Sequence, residues 1–309
     1  MVQQRNVLVT GATGNQGQGV VRRCLEAGHQ VWALSRDPSS ASAHALAQLG
    51  AKLVRGEFDD AASLQAAFTH NPSIDAVFHV QPQTGNLAKD TTRARNVISA
   101  ARSSASVTLM VASTSLKVGQ HETFPGWGPD YPTYVSWLAR HSVEELVRGA
   151  GFAQWAMVRP AHFLQLLTKP GSQFFFPGVW EDDRTLRVAW KPDTKLGWID
   201  GADVGVVVAA VLGEPGRYAG REIDLGVEAL TIGEVADKLS GALGGAEVKV
   251  HYYSDEELAQ GKAKQDYRVL AAMHWGNAVE TASSAAAAEE FAGLTSVSEF
   301  LARNRDNLL

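Results

Sequence analysis

Cysteine is nearly absent from this sequence, and that alone excludes an internal disulfide framework: Cys24 is the single cysteine in 309 residues. It falls in the first expected helix and reads as a small buried residue rather than a nucleophile, which suits a reducing compartment. An excess of positive charge is also missing. Lys and Arg number 28 against 33 Asp and Glu, a net charge of -5, so no general basic field exists to hold nucleic acid or an anionic membrane. The longest apolar stretch, Val204 to Leu212, is far too short to cross a bilayer. No basic-then-apolar leader precedes the first strand, no Cys/His cluster has metal-ligand spacing, and neither repeats nor low-complexity tails occur. His251 and His274 are isolated and read as structural. These absences lead to the expectation of a soluble, cytoplasmic protein with no metal, nucleic-acid or membrane partner.

What is present is an alternation of strands and helices. Apolar runs at Asn6–Thr10, Gln30–Ser35, Ala51–Arg55, Ala76–Val80, Val107–Ala112 and Ala153–Val158 read as strands. Helical segments separate them at Gln16–Ala27, Pro38–Leu49, Ala61–Phe68, Leu87–Ala101 and Tyr134–Arg148. Continuously apolar strands are those of a parallel sheet covered on both faces. The expected fold is therefore α/β: a doubly wound, Rossmann-type parallel sheet over residues 1–160, with returns near 199–228, and a smaller C-terminal α+β substrate or interaction lobe over 161–309.

The first strand runs directly into VLVTGATGNQG, with glycines at Gly11, Gly14 and Gly17 before the first helix. A strand, a tight glycine turn and a helix N-terminus make an anion site, because free amide N–H groups and the positive end of the helix dipole converge. Where the second strand closes, an acid would bind a ribose 2′-hydroxyl and an arginine would accommodate a 2′-phosphate. The chain has Arg36 there. Asp37 follows, but Pro38 assigns it to the turn or to a helix cap. NADP is therefore favoured over NAD, against the plainer reading of Arg36 as a solvated charge.

After Arg159-Pro160 the alternation breaks down. Six of the eight tryptophans lie between Trp127 and Trp198, and Phe174-Phe175-Phe176 falls among them. Such aromatics line an apolar pocket for a flat ligand or staple a smaller lobe to the sheet, two readings that are compatible. The Gly- and Pro-rich stretch from Ser113 to Thr133 is longer than most connections, which favours a functional loop over a surface excursion. Two capping boxes, Thr231 with Glu234 and Ser254 with Glu257, open further helices, and Glu247–Tyr253 alternates as a strand does.

With VTGATGNQG, Ser35-Arg36-Asp37-Pro38, Gly56-Glu57-Phe58-Asp59, Val158-Arg159-Pro160 and Ile199-Asp200-Gly201-Ala202-Asp203-Val204-Gly205 in order, the chain resembles the NmrA-like family of atypical short-chain dehydrogenases/reductases. The resemblance implies that Gly11, Thr13, Gly14, Asn15, Gln16 and Gly17 hold a pyrophosphate and Arg36 the 2′-phosphate. It implies Glu57 and Phe58 beside the adenine, Val80 and Gln81 along the cofactor, Ser113 and Thr114 near the nicotinamide, and Arg95 as the basic residue of the fourth helix. Active short-chain reductases use Tyr-x-x-x-Lys, the tyrosine donating a proton. Here Val135 follows Tyr131 at that spacing and Leu138 follows Tyr134. Alignment on Val143-Glu144-Glu145 places Arg140 where the lysine is usual. Arg140 can bind ribose hydroxyls, but it is no proton donor.

Tyr134 and His141, two helical turns apart, could pair as acid and relay, or Tyr134 could simply pack; His162, after Arg159-Pro160, is another candidate donor. The implied activity is reduction of a small aromatic or conjugated substrate, such as a quinone or enone, by NADPH. Quinones need little acid catalysis, which suits the missing dyad. The other reading is a non-catalytic NADP(H) sensor that acts through a protein partner.

Overall fold

The computed structural model describes residues 4–308. They fall into two compact units. The first runs up to Gly119 and includes Val135–Arg159 and Gly201–Asp224; the second comprises Gln120–Tyr134, Pro160–Asp200 and the chain from Leu225 onward.

The first unit holds a seven-stranded sheet. Its strands are β1 (Asn6–Val9), β2 (Gln30–Ser35), β3 (Lys52–Arg55), β4 (Ala76–His79), β5 (Leu109–Ser113), β6 (Gln154–Pro160) and a last strand, Arg221–Leu225. The spatial order is Arg221–Leu225, β6, β5, β4, β1, β2, β3, and the ladders from β6 through to β3 are all parallel. The order reverses between β1 and β4, the switch point at which doubly wound sheets bind ligands. Alternate strand residues Leu8, Trp32, Leu34, Val77, Met110 and Met157 join one core with α3 (Ala61–Thr69), α4 (Leu87–Ser103) and α5 (Tyr134–Gly149). Burial of both faces is why these strands lack polar alternation.

A second pair of helices, α1 (Asn15–Glu26) and Val204–Gly213, packs closer than side chains allow. A Cβ on Gly19 would overlap the backbone of Ala202, and one on Gly205 would overlap the backbone of Gly19. Cys24, on the same helix, is fully buried, and burial pushes its thiol well above the ordinary range.

The first unit is also held by a buried ion pair. Glu144 of α5 is fully buried and accepts from Arg159 Nε at 2.9 Å and Nη2 at 2.6 Å, from Arg148 at 2.7 Å, and from the Thr114 hydroxyl at 2.7 Å. Burial alone would raise its carboxyl, but the Arg159 hydrogen bonds and charge outweigh that and hold it below the usual range. The fork joins α5 to β6 and to the end of β5.

The second unit carries a three-stranded sheet in the order Glu228–Leu230, Leu196–Ile199, His162–Phe163, and a parallel pair of Lys249–Tyr252 with Thr185–Val188. Both capping boxes read from the sequence are formed, at Thr231 and Ser254, and a third opens at Ser296. Asp200, buried, accepts from Gln165 at 2.7 Å and pairs with Arg303, anchoring the last helix. The aromatic run is core: Phe175, Phe176, Trp190 and Trp198 are buried together, while Phe174 is exposed. These rings fill the interior of the second unit itself, where they bury large apolar area.

Two glycine variants separate close packing from helix propensity. Alanine in a helix gains about 1 kcal/mol over glycine from propensity alone. Gly241 in the helix Ile232–Ala242 faces open space, so Gly241→Ala should stabilise by up to that amount. Gly19→Ala must displace unyielding backbone, so a net loss of about 1–3 kcal/mol is expected in urea unfolding.

Candidate dinucleotide-binding site

The glycine turn sits at the switch point because Thr10 and Val80 lock it there. The Thr10 hydroxyl accepts from Val80 N–H at 3.0 Å and donates to Val80 O at 3.1 Å, with His79 Nδ1 also 3.1 Å away. Gly11 follows at φ 58°, and a Cβ there would stand 2.8 Å from Val80 Cγ1 and 2.9 Å from Val80 O. A Cβ on Gly17 would lie 2.6 Å from Ala12 Cα. Gly14 N–H donates to Gly11 O at 3.0 Å and Gln18 donates to Thr13 O at 2.8 Å, closing the turn. Gly14 is also the N-cap of α1, with no side chain capping it. Asn15 is exposed, and Gln16 accepts from the Ser113 hydroxyl at 2.6 Å, which ties the helix start to the end of β5. A turn that admits no Cβ at Gly11 or Gly17, leading into a helix whose first amides lack a side-chain cap, fits a pyrophosphate.

Arg36 leaves the end of β2 exposed. Asp37 is committed to the turn: its carboxylate accepts from Ser39 N at 2.9 Å and Ser39 Oγ at 2.5 Å, while Ser40 caps the next helix. After β3, Glu57 is exposed and donates its N–H to Ser63 Oγ at 3.0 Å. Phe58 lies edge-on to His79, centroids 6.0 Å apart, and its carbonyl accepts from Asn96 at 3.0 Å. Arg93 of α4 holds Asp59, whose carboxyl falls to about 2 through that hydrogen bond. Arg95, two residues on, points away from that pair, about 200° round the helix, and is exposed. Arg93, Asn96 and Lys89, the last 3.5 Å from Asp59, are α4 residues that reach this loop.

The loop between β4 and α4 has a buried organiser that the sequence reading passed over. Asp90, fully buried in the first turn of α4, accepts from Thr84 N at 3.0 Å and Thr84 Oγ1 at 2.8 Å, and its carbonyl accepts from Gln81 at 2.8 Å. Arg140 of α5 donates to Ser136 O at 3.3 Å and lies 5.9 Å from the Trp137 ring. Burial lowers its guanidinium to about 10, against the charge of Asp90, so it remains a cation at neutral pH. Asp90 carried no distinctive signal, since an acid in a first helical turn is the ordinary response to the helix dipole.

The sequence matches the NmrA-like family over residues 3–301. The chain belongs to the NmrA-like family. It is 30% identical over 245 residues to an NAD(P)H azoreductase of Xenophilus azovorans, covering 77% of this chain and 74% of that one. Among solved structures, its fold is that of the negative transcriptional regulator NmrA in complex with NADP (TM-score 0.74, 18% identity, 97% and 95% of the two chains). It is equally that of an NADPH-dependent quinone oxidoreductase from Escherichia coli (TM-score 0.69, 21% identity, 96% and 98%).

In this NmrA-like chain the three candidate proton donors stand in different settings. The Tyr134 ring packs on Trp127 at 4.9 Å, within an aromatic set of His121, Phe124 and Tyr131 that fills the long loop after β5. His141 borders a cavity of about 470 Å³ with Leu87, Thr91, Leu138 and Leu146. His162 lies among Trp190, Trp198 and Trp275 at centroid distances of 5.9, 5.6 and 6.1 Å, with Nδ1 3.2 Å from Gly197 O. Facing a carbonyl oxygen, Nδ1 carries the proton, which leaves Nε2 as an acceptor. Burial lowers the imidazole to about 4, so at neutral pH it is uncharged.

That shift has a sign. Between the ordinary histidine value of 6.5 and about 4, the unfolded chain takes up a proton at His162 that the native chain refuses. Native stability should therefore fall as pH drops through this window, with buried His79 acting in the same sense. In urea titrations across the window, His162→Gln should flatten the slope, and an unchanged slope would place the proton uptake elsewhere.

Proposed function

We propose that this protein is an NADPH-dependent reductase of a flat, conjugated acceptor such as a quinone or an enone. The observation that carries the reading is the closed glycine turn at the switch point, followed by an uncapped helix start and by Arg36 in place of an acid. Gly11 to Gly17 would hold the pyrophosphate and Arg36 the 2′-phosphate. Glu57 and Phe58 would border the adenine, with Val80, Gln81 and Ser113 along the cofactor's length. Arg95, exposed on α4, is retained only as a peripheral charge. Bound NADPH supplies a hydride to the acceptor.

The residues of this chain then decide what accompanies the hydride. Arg140 is a cation that hydrogen-bonds without giving up its proton, so it orients hydroxyl groups and offsets negative charge. Asp90 fixes the loop that carries Gln81 and sets the field around Arg140. None of Tyr134, His141 or His162 is paired with a lysine in the Tyr-x-x-x-Lys spacing, and His162 is neutral. An acceptor whose reduced form is a stabilised oxyanion requires no strong acid, and quinones and conjugated enones meet that condition. The azoreductase at 30% identity supports a reductase of conjugated molecules. We assign substrate recognition to the second unit.

The same missing spacing favours a second reading, a non-catalytic NADP(H) sensor with a protein partner, which needs the two redox forms to bind with different affinity. One assay separates them. The reductase should consume NADPH absorbance on addition of simple quinones. No turnover across a panel of quinones and enones, together with widely different affinities for NADP⁺ and NADPH, would establish the sensor instead.

A further inference from the structure

The register of β2 and β3 brings a second guanidinium to the point where Arg36 leaves the sheet. Ser35 and Arg55 are register partners at the ends of their parallel strands. The ladder extends one step further, because Gly56 N–H donates to Ser35 O at 3.0 Å. A Cβ on Gly56 would stand 2.6 Å from Leu34 Cδ1 and would displace the end of that side chain. Arg55 therefore leaves the sheet on the face of Ser35, and Arg36 leaves from the bend just past it, at strand ends about 4.8 Å apart.

Both arginines are exposed. Neither is hydrogen-bonded to a carboxylate among the described residues. The acid next to Arg36 is Asp37, whose carboxylate is occupied by Ser39, while Glu57, two residues after Arg55, is exposed. The Asp37 carboxyl is held below the usual range first by those Ser39 hydrogen bonds and also by the charges of His44 and Arg55, which puts Arg55 within charge range of this turn. An acid withdrawn from the site and two uncommitted guanidinium groups at adjacent strand ends make a seat for a dianion, which a single 2′-hydroxyl would not fill.

We propose that Arg55 is the second reader of the cofactor's 2′-phosphate and, with Arg36, sets the preference for NADPH over NADH. This deepens the cofactor reading above and rests on it. Two guanidinium groups can share the three terminal oxygens of one phosphate, so each contributes charge-assisted hydrogen bonds that NADH cannot use. Arg55 is exposed at a strand end and outside the buried core, so its replacement acts on the ligand more than on the fold.

The test compares wild type, Arg36→Ala, Arg55→Ala, Arg55→Gln and the double alanine variant in titrations with NADPH, NADH, 2′,5′-ADP and 5′-AMP. The last two report the phosphate without the nicotinamide. Arg55→Ala and Arg55→Gln should each weaken NADPH and 2′,5′-ADP by about tenfold, with NADH and 5′-AMP nearly unchanged. The double variant should lose the preference altogether, and its losses should not add, because both groups act on one phosphate. Raised salt should weaken 2′,5′-ADP less in Arg55→Ala than in wild type. If Arg36→Ala abolishes the preference and both Arg55 variants retain it, Arg55 is not a reader and the cofactor reading stands. If neither position alters the preference, the 2′-phosphate site lies elsewhere and both readings fall. Equal weakening of NADPH and NADH by the Arg55 variants also overturns the proposal.

Discussion

Backbone touching backbone around α1 is the constraint on which the first unit depends. Gly17 lets the helix start lie against the turn at Gly11 and Ala12, and Gly19 lets its next turn lie against Ala202 and Gly205. A helix held from two sides at that distance cannot slide or roll without overlap. Its N-terminus is thereby aimed at the switch point between β1 and β4. Anion recognition by amides needs this rigidity, because a peptide dipole acts only in the direction in which it is fixed.

Charge inside the unit is used for joining. Glu144 and Arg159 form a pair that costs desolvation and recovers it through four hydrogen bonds to the carboxylate. Asp90 does similar work one helix away, where Thr84 N, Thr84 Oγ1 and the nearby Arg140 surround its carboxylate. Asp90 lies in the first turn of α4 and Glu144 within α5, and both are fully buried, so each carboxylate acts as a polar joint inside an otherwise apolar unit.

The sheet was legible in the sequence because each strand is an apolar run between turn residues. The glycine turn was legible because its residue type is sterically compelled. Boundaries moved by a few residues, as at the second helix, Ala41–Gln48, which starts after a cap at Ser40 and not at Pro38. The short strands of the second unit, such as His162–Phe163 and Glu228–Leu230, were missed, since two or three residues carry no periodicity. Glu144 and Arg159 were each visible in their motifs, but a pairing fifteen positions apart is a tertiary fact. Aromatic residues in 174–198 misdirect for a related reason: composition does not distinguish a ring lining a cavity from one filling a core.

The buried thiol of Cys24 bears on chemical endurance. Quinones and enones are electrophiles that add to exposed thiolates, and an enzyme handling them is at risk of being alkylated by its own substrate. Cys24 is fully buried on the inner face of α1, with its thiol held in the protonated form. With its single cysteine buried, the chain presents no exposed thiolate for an electrophile to alkylate.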